Sequence, residues 1–260
     1  MAAILSTREG AVARLVISNT ARRNAMTLSM WQSLAAALKE LDDDEDVRVV
    51  VLSGEGEQAF VSGADISEFD QQRSGMEAVR AYDEAVMSAQ FALSRSSKIT
   101  LASVRGVCFG GGLGLLLACD LRYACDTARF RMPAARLGLG YRREGMLQMV
   151  QAIGASRAAE LFYTARVFDG VEAQRLGVVH QCFAEAAFAE SVARLVGDIA
   201  QNAPLSLRAV KLAIRDIQAD EGDRDEQAVR RAVERCFASE DYQEGRRAFM
   251  EKRPPVFRGR

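Results

Sequence analysis

Gly106-Val-Cys-Phe-Gly-Gly-Gly-Leu-Gly114 decides the fold. It follows an apolar strand pattern at residues 99–104. It leads into a short apolar helix pattern over 110–119, which opens with three glycines, and a third apolar strand follows at 121–125. A second glycine-containing segment, Ala59-Phe-Val-Ser-Gly-Ala-Asp-Ile66, follows the strand pattern Val47-Arg-Val-Val-Val-Leu-Ser53 and precedes a long amphipathic helix at 76–94. Strands alternating with helices imply parallel pairing and right-handed crossovers, hence an α/β fold. Parallel strands put the ends of both segments on one edge of the sheet, where ligands bind. Glycines there let a ligand approach backbone N–H groups, and a helix starting near Gly111 aims its positive end at the same place. Two N–H donors converging on one oxygen make an oxyanion hole, worth about 3 kcal/mol per donor where charge develops. Either segment alone reads as tight packing, and the pair is what points to a site.

Working outward, residues 4–8 and 11–18 flank Glu9-Gly10 and predict a β-hairpin. A helix pattern at 28–41 ends in the acidic run 42–46, and from Gly145 onward the chain reads as nearly all helix, interrupted by a strand at 177–182 (Gly-Val-Val-His-Gln-Cys). Asn202-Ala-Pro204 marks a helix boundary. It divides an α/β core, residues 1–203, from a helical region, residues 204–260, whose apolar stripe Val229, Val233 and Phe237 suggests self-association.

The 260 residues suffice for a sizeable core. A hydrophobic share of 49% with 27% charged residues excludes disorder and collagen-like structure. A net charge of −1 gives no basic field for nucleic acid. The five cysteines, Cys108, Cys119, Cys125, Cys182 and Cys236, form no C-x-x-C pair and read as free thiols of a reducing compartment, so the expected location is the cytoplasm. No run reaches the ~18 apolar residues of a membrane helix, and the N-terminal residues read as the start of the fold rather than a signal peptide.

Several signals read as structural. Gly54-Glu-Gly-Glu-Gln-Ala59 matches G-x-G-x-x-A, but Ser62-Gly63 interrupts before a helix can start, and two glutamates would face an anionic ligand; a surface turn fits better. The single histidine, His180, ends an apolar strand pattern and reads as structural, which leaves no histidine-based triad. There is no P-loop, no G-x-S-x-G elbow and no metal-ligand cluster.

Phe60-Val-Ser-Gly-Ala-Asp-Ile66 and the run from Val104 to Ala124 resemble the two signature segments of the enoyl-CoA hydratase/isomerase (crotonase) superfamily. Arg23-Asn-Ala-Met26 is similar to its N-terminal motif, and Ser239-Glu-Asp-Tyr-Gln-Glu-Gly245 running into the segment 248–257 is similar to its C-terminal one. The resemblance spans nearly the whole chain. It implies a crotonase-type spiral of ββα units, C-terminal helices that trimerise, and a homotrimer or homohexamer acting in fatty acid metabolism. It implies an acyl-CoA substrate, no cofactor beyond the coenzyme A moiety, and oxyanion donors at the N–H groups of Ala64 and Gly111. Coenzyme A would be held by the segment Ser62, Ala64, Asp65 and Ile66, with Arg23 near its phosphates. Phe249 and Lys252 would reach a coenzyme A bound mainly by a neighbouring subunit.

The chain departs from the family at two positions. Where its hydratases carry the two glutamates that handle water, this chain has Gly114 and Ala134, which can neither orient water nor move a proton. Polar groups at the acyl end are Tyr141, Arg142, Arg143 and Glu144. Tyr141 and the Ser239–Gly245 segment resemble methylmalonyl-CoA decarboxylase within the superfamily, although that enzyme has a histidine where this chain has Ala64. The expected activity is therefore a lyase reaction through a thioester enolate, such as decarboxylation of a short malonyl-type acyl-CoA, with Tyr141 orienting the departing carboxylate. One alternative is an enoyl-CoA hydratase or isomerase using Glu144 as a relocated acid/base. The other is a non-catalytic acyl-CoA binding protein.

Overall fold

The run Val49-Val-Val-Leu52 is apolar at every position because both faces of its strand are covered. Val50 and Leu52 join the main core, whereas Val49 and Val51 pack with Leu101, Tyr123 and Cys125 beneath a helix that supplies Phe188, Val192 and Val196. A strand buried on both faces loses the polar alternation of a half-exposed one.

The computed structural model describes residues 2–65 and 76–260. The chain opens with the hairpin β1 (Ala3–Glu9) and β2 (Val12–Ser18), paired antiparallel about Gly10. Helix α1 (Leu28–Asp43) is capped by Thr27, whose side chain accepts the Met30 N–H. Three ββα turns follow: β3 (Val49–Gly54), β4 (Ala59–Val61) and α2 (Met76–Arg95); β5 (Ile99–Val104), β6 (Val107–Phe109) and α3 (Gly111–Ala118); β7 (Leu121–Cys125), β8 (Arg129–Arg131) and, after a 3-10 turn at Ala134–Leu137, α4 (Arg143–Ile153). The first strand of each turn joins one sheet, ordered β1-β2-β3-β5-β7 and closed by β10 (Gln181–Phe183). The second strand joins a smaller sheet, β4-β6-β8, closed by β9 (Phe168–Asp169). All pairings between successive turns are parallel, with Val49 opposite Ile99, Leu101 opposite Leu121 and Val107 opposite Arg129. This is the ββα spiral that the resemblance implied.

The remaining helices are α5 (Ala155–Thr164), α6 (Gly170–Leu176), α7 (Glu185–Gln201), α8 (Pro204–Gln218), α9 (Glu226–Ala238) and α10 (Glu240–Glu251). Pro204 sits in the first turn of α8, where its missing N–H costs no helical bond. Lys211 ties α8 to the spiral: it is buried and donates to the Lys98 carbonyl and to Asp120, each at 2.7 Å. Asp120 in turn accepts from the Thr100 N–H and hydroxyl.

Two expectations need correction. The strand predicted over 177–182 is confined to 181–183. Gly177 caps α6 in the left-handed region, and the buried Val178 and Val179 donate to the Ala173 carbonyl rather than to a strand. The two glycine-containing segments do not simply follow strands: each begins with its own three-residue strand, β4 or β6, and together these build the second sheet.

Candidate active site

The loops after β4 and β6 each place a glycine of positive φ immediately before a candidate donor. Gly63, with φ 124°, precedes Ala64, and Gly110, with φ 53°, precedes Gly111. Such backbone disfavours any larger residue. Ala64 is fixed by a parallel bridge to Met26, in which the Met26 N–H donates to the Gly63 carbonyl and the Asp65 N–H to the Met26 carbonyl. Gly111 is the first residue of α3, and the Gly110 carbonyl accepts from Leu113 and Gly114. Among the described residues no acceptor takes the N–H of Ala64 or of Gly111.

Both residues line one cavity of about 980 Å³. Close packing brings the loops there. A Cβ on Gly112 would stand 2.7 Å from the Val61 carbonyl oxygen, so its absence lets α3 press against β4. Trp31, 1% exposed, lies against Gly111 from the other side, where an added Cβ would meet its ring at 3.1 Å. The Trp31 indole donates to the Tyr82 hydroxyl at 2.9 Å, and that hydroxyl to the Met26 carbonyl at 3.4 Å. A buried chain of contacts thus runs from Gly111 to the residue bridged to Ala64. The cavity-lining positions of α2, among them Tyr82, Val86 and Gln90, recur at helical spacing.

Another part of the lining is formed by the 3-10 turn after β8 and the start of α4, with Ala134, Tyr141, Arg142 and Glu144. Tyr141 packs edge-on against Phe162 with ring centroids 4.8 Å apart. It is 37% exposed because the cavity is open, yet the protein around it desolvates the phenolate and pushes the phenol up to about 12. Arg142 is committed to Asp83 of α2, donating through two nitrogens at 3.1 and 2.9 Å, which leaves the pair neutral. Glu144 sits exposed in the first turn of α4, and Arg143, also exposed, is not on the lining.

Of the residues expected to hold coenzyme A, Ser62 and Ala64 line the cavity. The Ser62 hydroxyl donates to the Arg22 carbonyl, and its N–H to the Arg23 carbonyl. Arg23 is exposed and left-handed at φ 51°, and its side chain is not on the lining. Asp65 is buried, 3.6 Å from the Arg22 guanidinium. Ile66 lies outside the described residues. Phe249, 83% exposed, and Lys252, the left-handed cap of α10, are not on this chain's lining.

Sequence reasoning missed Trp31, Tyr82 and Asn24. Asn24 is 1% exposed and donates to the Glu55 and Ala59 carbonyls, which fixes the N-terminal loop to the start of β4. Its place in the Arg23–Met26 motif was the available signal; Trp31 and Tyr82 carried none beyond helical periodicity. His180 is structural: its Nδ1 accepts the Arg122 N–H at 3.0 Å, and burial holds the imidazole below its usual range. The Gly54–Ala59 segment is the turn joining β3 to β4. Burial pushes the Cys119 thiol up to about 12, far from a nucleophile's range.

The sequence pattern of the enoyl-CoA hydratase/isomerase family matches residues 7–260. The chain belongs to that family. It is 31% identical to the crotonyl-CoA hydratase of Syntrophomonas wolfei over 254 residues, covering 98% of this chain and 97% of that one. It is 33% identical to a putative enoyl-CoA hydratase of Thermus thermophilus over 260 residues, covering 98% of this chain and all of the other. Among solved structures, an enoyl-CoA hydratase/carnithine racemase from Magnetospirillum magneticum superposes with a TM-score of 0.95 at 32% identity, covering 100% of this chain and 97% of that one. The protein is thus an acyl-CoA enzyme by family. No helix among the described residues is long and apolar enough to cross a membrane.

Proposed function

We propose that this enzyme stabilises a thioester enolate through the N–H groups of Ala64 and Gly111 and forms it by loss of carbon dioxide from a short malonyl-type acyl-CoA. The observation that carries this reading is the chemistry of the wall around the hole. Where hydratases of the family place glutamates, the chain has Gly114 and Ala134, both buried. Asp83 is neutralised by Arg142. Breaking the C–C bond to the carboxylate leaves its electron pair as the enolate, so no base has to remove a proton, and one proton is then taken up at carbon to give the acyl-CoA. The positive end of α3 and the two N–H donors favour the charge on the thioester oxygen as it forms. Tyr141, protonated across the physiological range, orients the leaving carboxylate without the tight ground-state binding that a free guanidinium would give.

A second reading is favoured by Glu144 on the cavity lining and by the names of the relatives: hydration or isomerisation of an enoyl-CoA with Glu144 as acid/base. Turnover of methylmalonyl-CoA and crotonyl-CoA by the parent enzyme, Tyr141→Phe and Glu144→Gln separates the two. Decarboxylation that depends on Tyr141 supports the first; hydration abolished by Glu144→Gln, without carbon dioxide release by the parent, establishes the second. Failure to turn over any acyl-CoA leaves a binding protein.

Self-association as a trimer or hexamer belongs to the same proposal. Val210, Ile214 and Ile217 of α8 and Val233 and Phe237 of α9 are exposed apolar residues at helical spacing. Light scattering at micromolar concentration should give a trimer or hexamer, and a monomer would refute it.

A further inference from the structure

Gln90 of α2 is 9% exposed, lines the cavity, and its carboxamide makes no hydrogen bond with a described residue. Buried polar side chains in folded proteins nearly always have partners, and a carboxamide has two N–H donors to place. Its position is fixed by Gly114: a Cβ there would stand 2.3 Å from Nε2 of Gln90, so the bare backbone of α3 is what admits the amide. Gly114 lies three residues after Gly111, a rise of about 4.5 Å along the helix. The amide therefore stands within a few atoms of an acyl group whose thioester oxygen meets the Gly111 N–H.

Resting on the acyl-CoA reading above, we infer that Gln90 determines substrate specificity by donating a hydrogen bond to a second, anionic group on the acyl chain, one or two carbons beyond the thioester carbonyl. A neutral donor beside the positive end of α3 favours an anion, and the nearby carboxylate of Asp83 is already paired. An amide cannot take up a proton in place of a glutamate, so its contribution is to hold and orient the anion.

The test uses the full chain and two thioesters that do not lose carbon dioxide: sulfoacetyl-CoA, whose sulfonate stands where a malonyl carboxylate would, and propionyl-CoA, which lacks the anion. Calorimetry should show the parent binding sulfoacetyl-CoA more tightly than propionyl-CoA. Gln90→Leu should weaken sulfoacetyl-CoA by about tenfold or more and leave propionyl-CoA within about twofold, with an undiminished thermal midpoint because it removes a buried unpaired amide. Gln90→Glu, nearly isosteric, should weaken sulfoacetyl-CoA further through repulsion. Equal weakening of both thioesters, or of neither, by Gln90→Leu and Gln90→Glu overturns the inference while the acyl-CoA reading stands. Propionyl-CoA that binds neither the parent nor the variants overturns both.

Discussion

The wall that carries Ala64 and Gly111 and the wall that carries Tyr141 and Glu144 enclose one cavity but are built by different means. The first is backbone held by buried neighbours: Met26, Trp31 and Val61 are each no more than 1% exposed, and its candidate donors are main-chain N–H groups. The second is a set of partly exposed side chains, with Leu137, Leu139 and Leu147 beside Tyr141 on an open rim. A donor supplied by the backbone does not depend on the identity of its own side chain and fails when the packing around it changes. A side chain on a rim can be exchanged with little cost to the fold. On the proposed reading, packing sets charge stabilisation at the thioester oxygen and exchangeable side chains set the reaction at the acyl end.

If the first wall rests on packing, Trp31→Ala should be costly. Removing this ring, which lies against Gly111 and donates to Tyr82, should destabilise the chain by about 3–5 kcal/mol in urea unfolding. A loss under about 1 kcal/mol would break the contrast. Gly111→Pro acts on the donor itself. Proline is accepted at the first position of a helix, and α3 begins there, but an added Cβ meets the Trp31 ring at 3.1 Å, so the thermal midpoint should fall by a few degrees while the chain stays folded and kcat falls roughly 100- to 1,000-fold. An unaffected kcat would mean that the Gly111 N–H does not meet developing charge.

The first wall was also the more legible one. Glycines at 63 and 110–112, each set after an apolar strand, announced the approach of backbone to a ligand, and the long strands 99–104 and 121–125 match the structure at both ends. The three-residue strands β4, β6 and β8 are too short to show a period, so the second sheet was readable only through the family resemblance. The strand at 177–182 was misread because Val178 and Val179 are apolar for the core's sake, not for a ladder. At the acyl end, sequence gave the residues but not their partners: the pairing of Arg142 with Asp83 spans 59 positions, and the meeting of Gln90 with Gly114 depends on how α2 crosses α3.

Smaller effects sharpen the contrast at the second wall. Tyr141→Phe should lower kcat on a malonyl-type thioester by about tenfold, the value of one hydrogen bond to a charged group, with stability nearly unchanged. Glu144→Gln should change the same rate by less than about twofold, as expected of an exposed side chain outside the chemistry. A larger loss with Glu144→Gln than with Tyr141→Phe would reverse the assignment of roles.

The smallest effect is one of pH. Burial raises the Tyr141 phenol from 10.0 to about 12, so the folded state favours the neutral form. Its contribution to stability is fully present below pH 10 and is lost as pH rises from 10 toward 12, where the unfolded chain ionises first. The hydroxyl therefore remains a donor at pH 9–10, and kcat for decarboxylation should show no fall there that Tyr141→Phe removes. A fall near pH 9 that disappears in the phenylalanine variant would show an ionised tyrosine in the folded site.

The central claim is that the hole stabilises an enolate generated by loss of carbon dioxide. Incubating the parent enzyme with methylmalonyl-CoA in deuterium oxide tests it most directly. The expected result is carbon dioxide release and propionyl-CoA carrying one deuterium at the carbon next to the thioester. No carbon dioxide from methylmalonyl-CoA, together with rapid hydration of crotonyl-CoA, would contradict it.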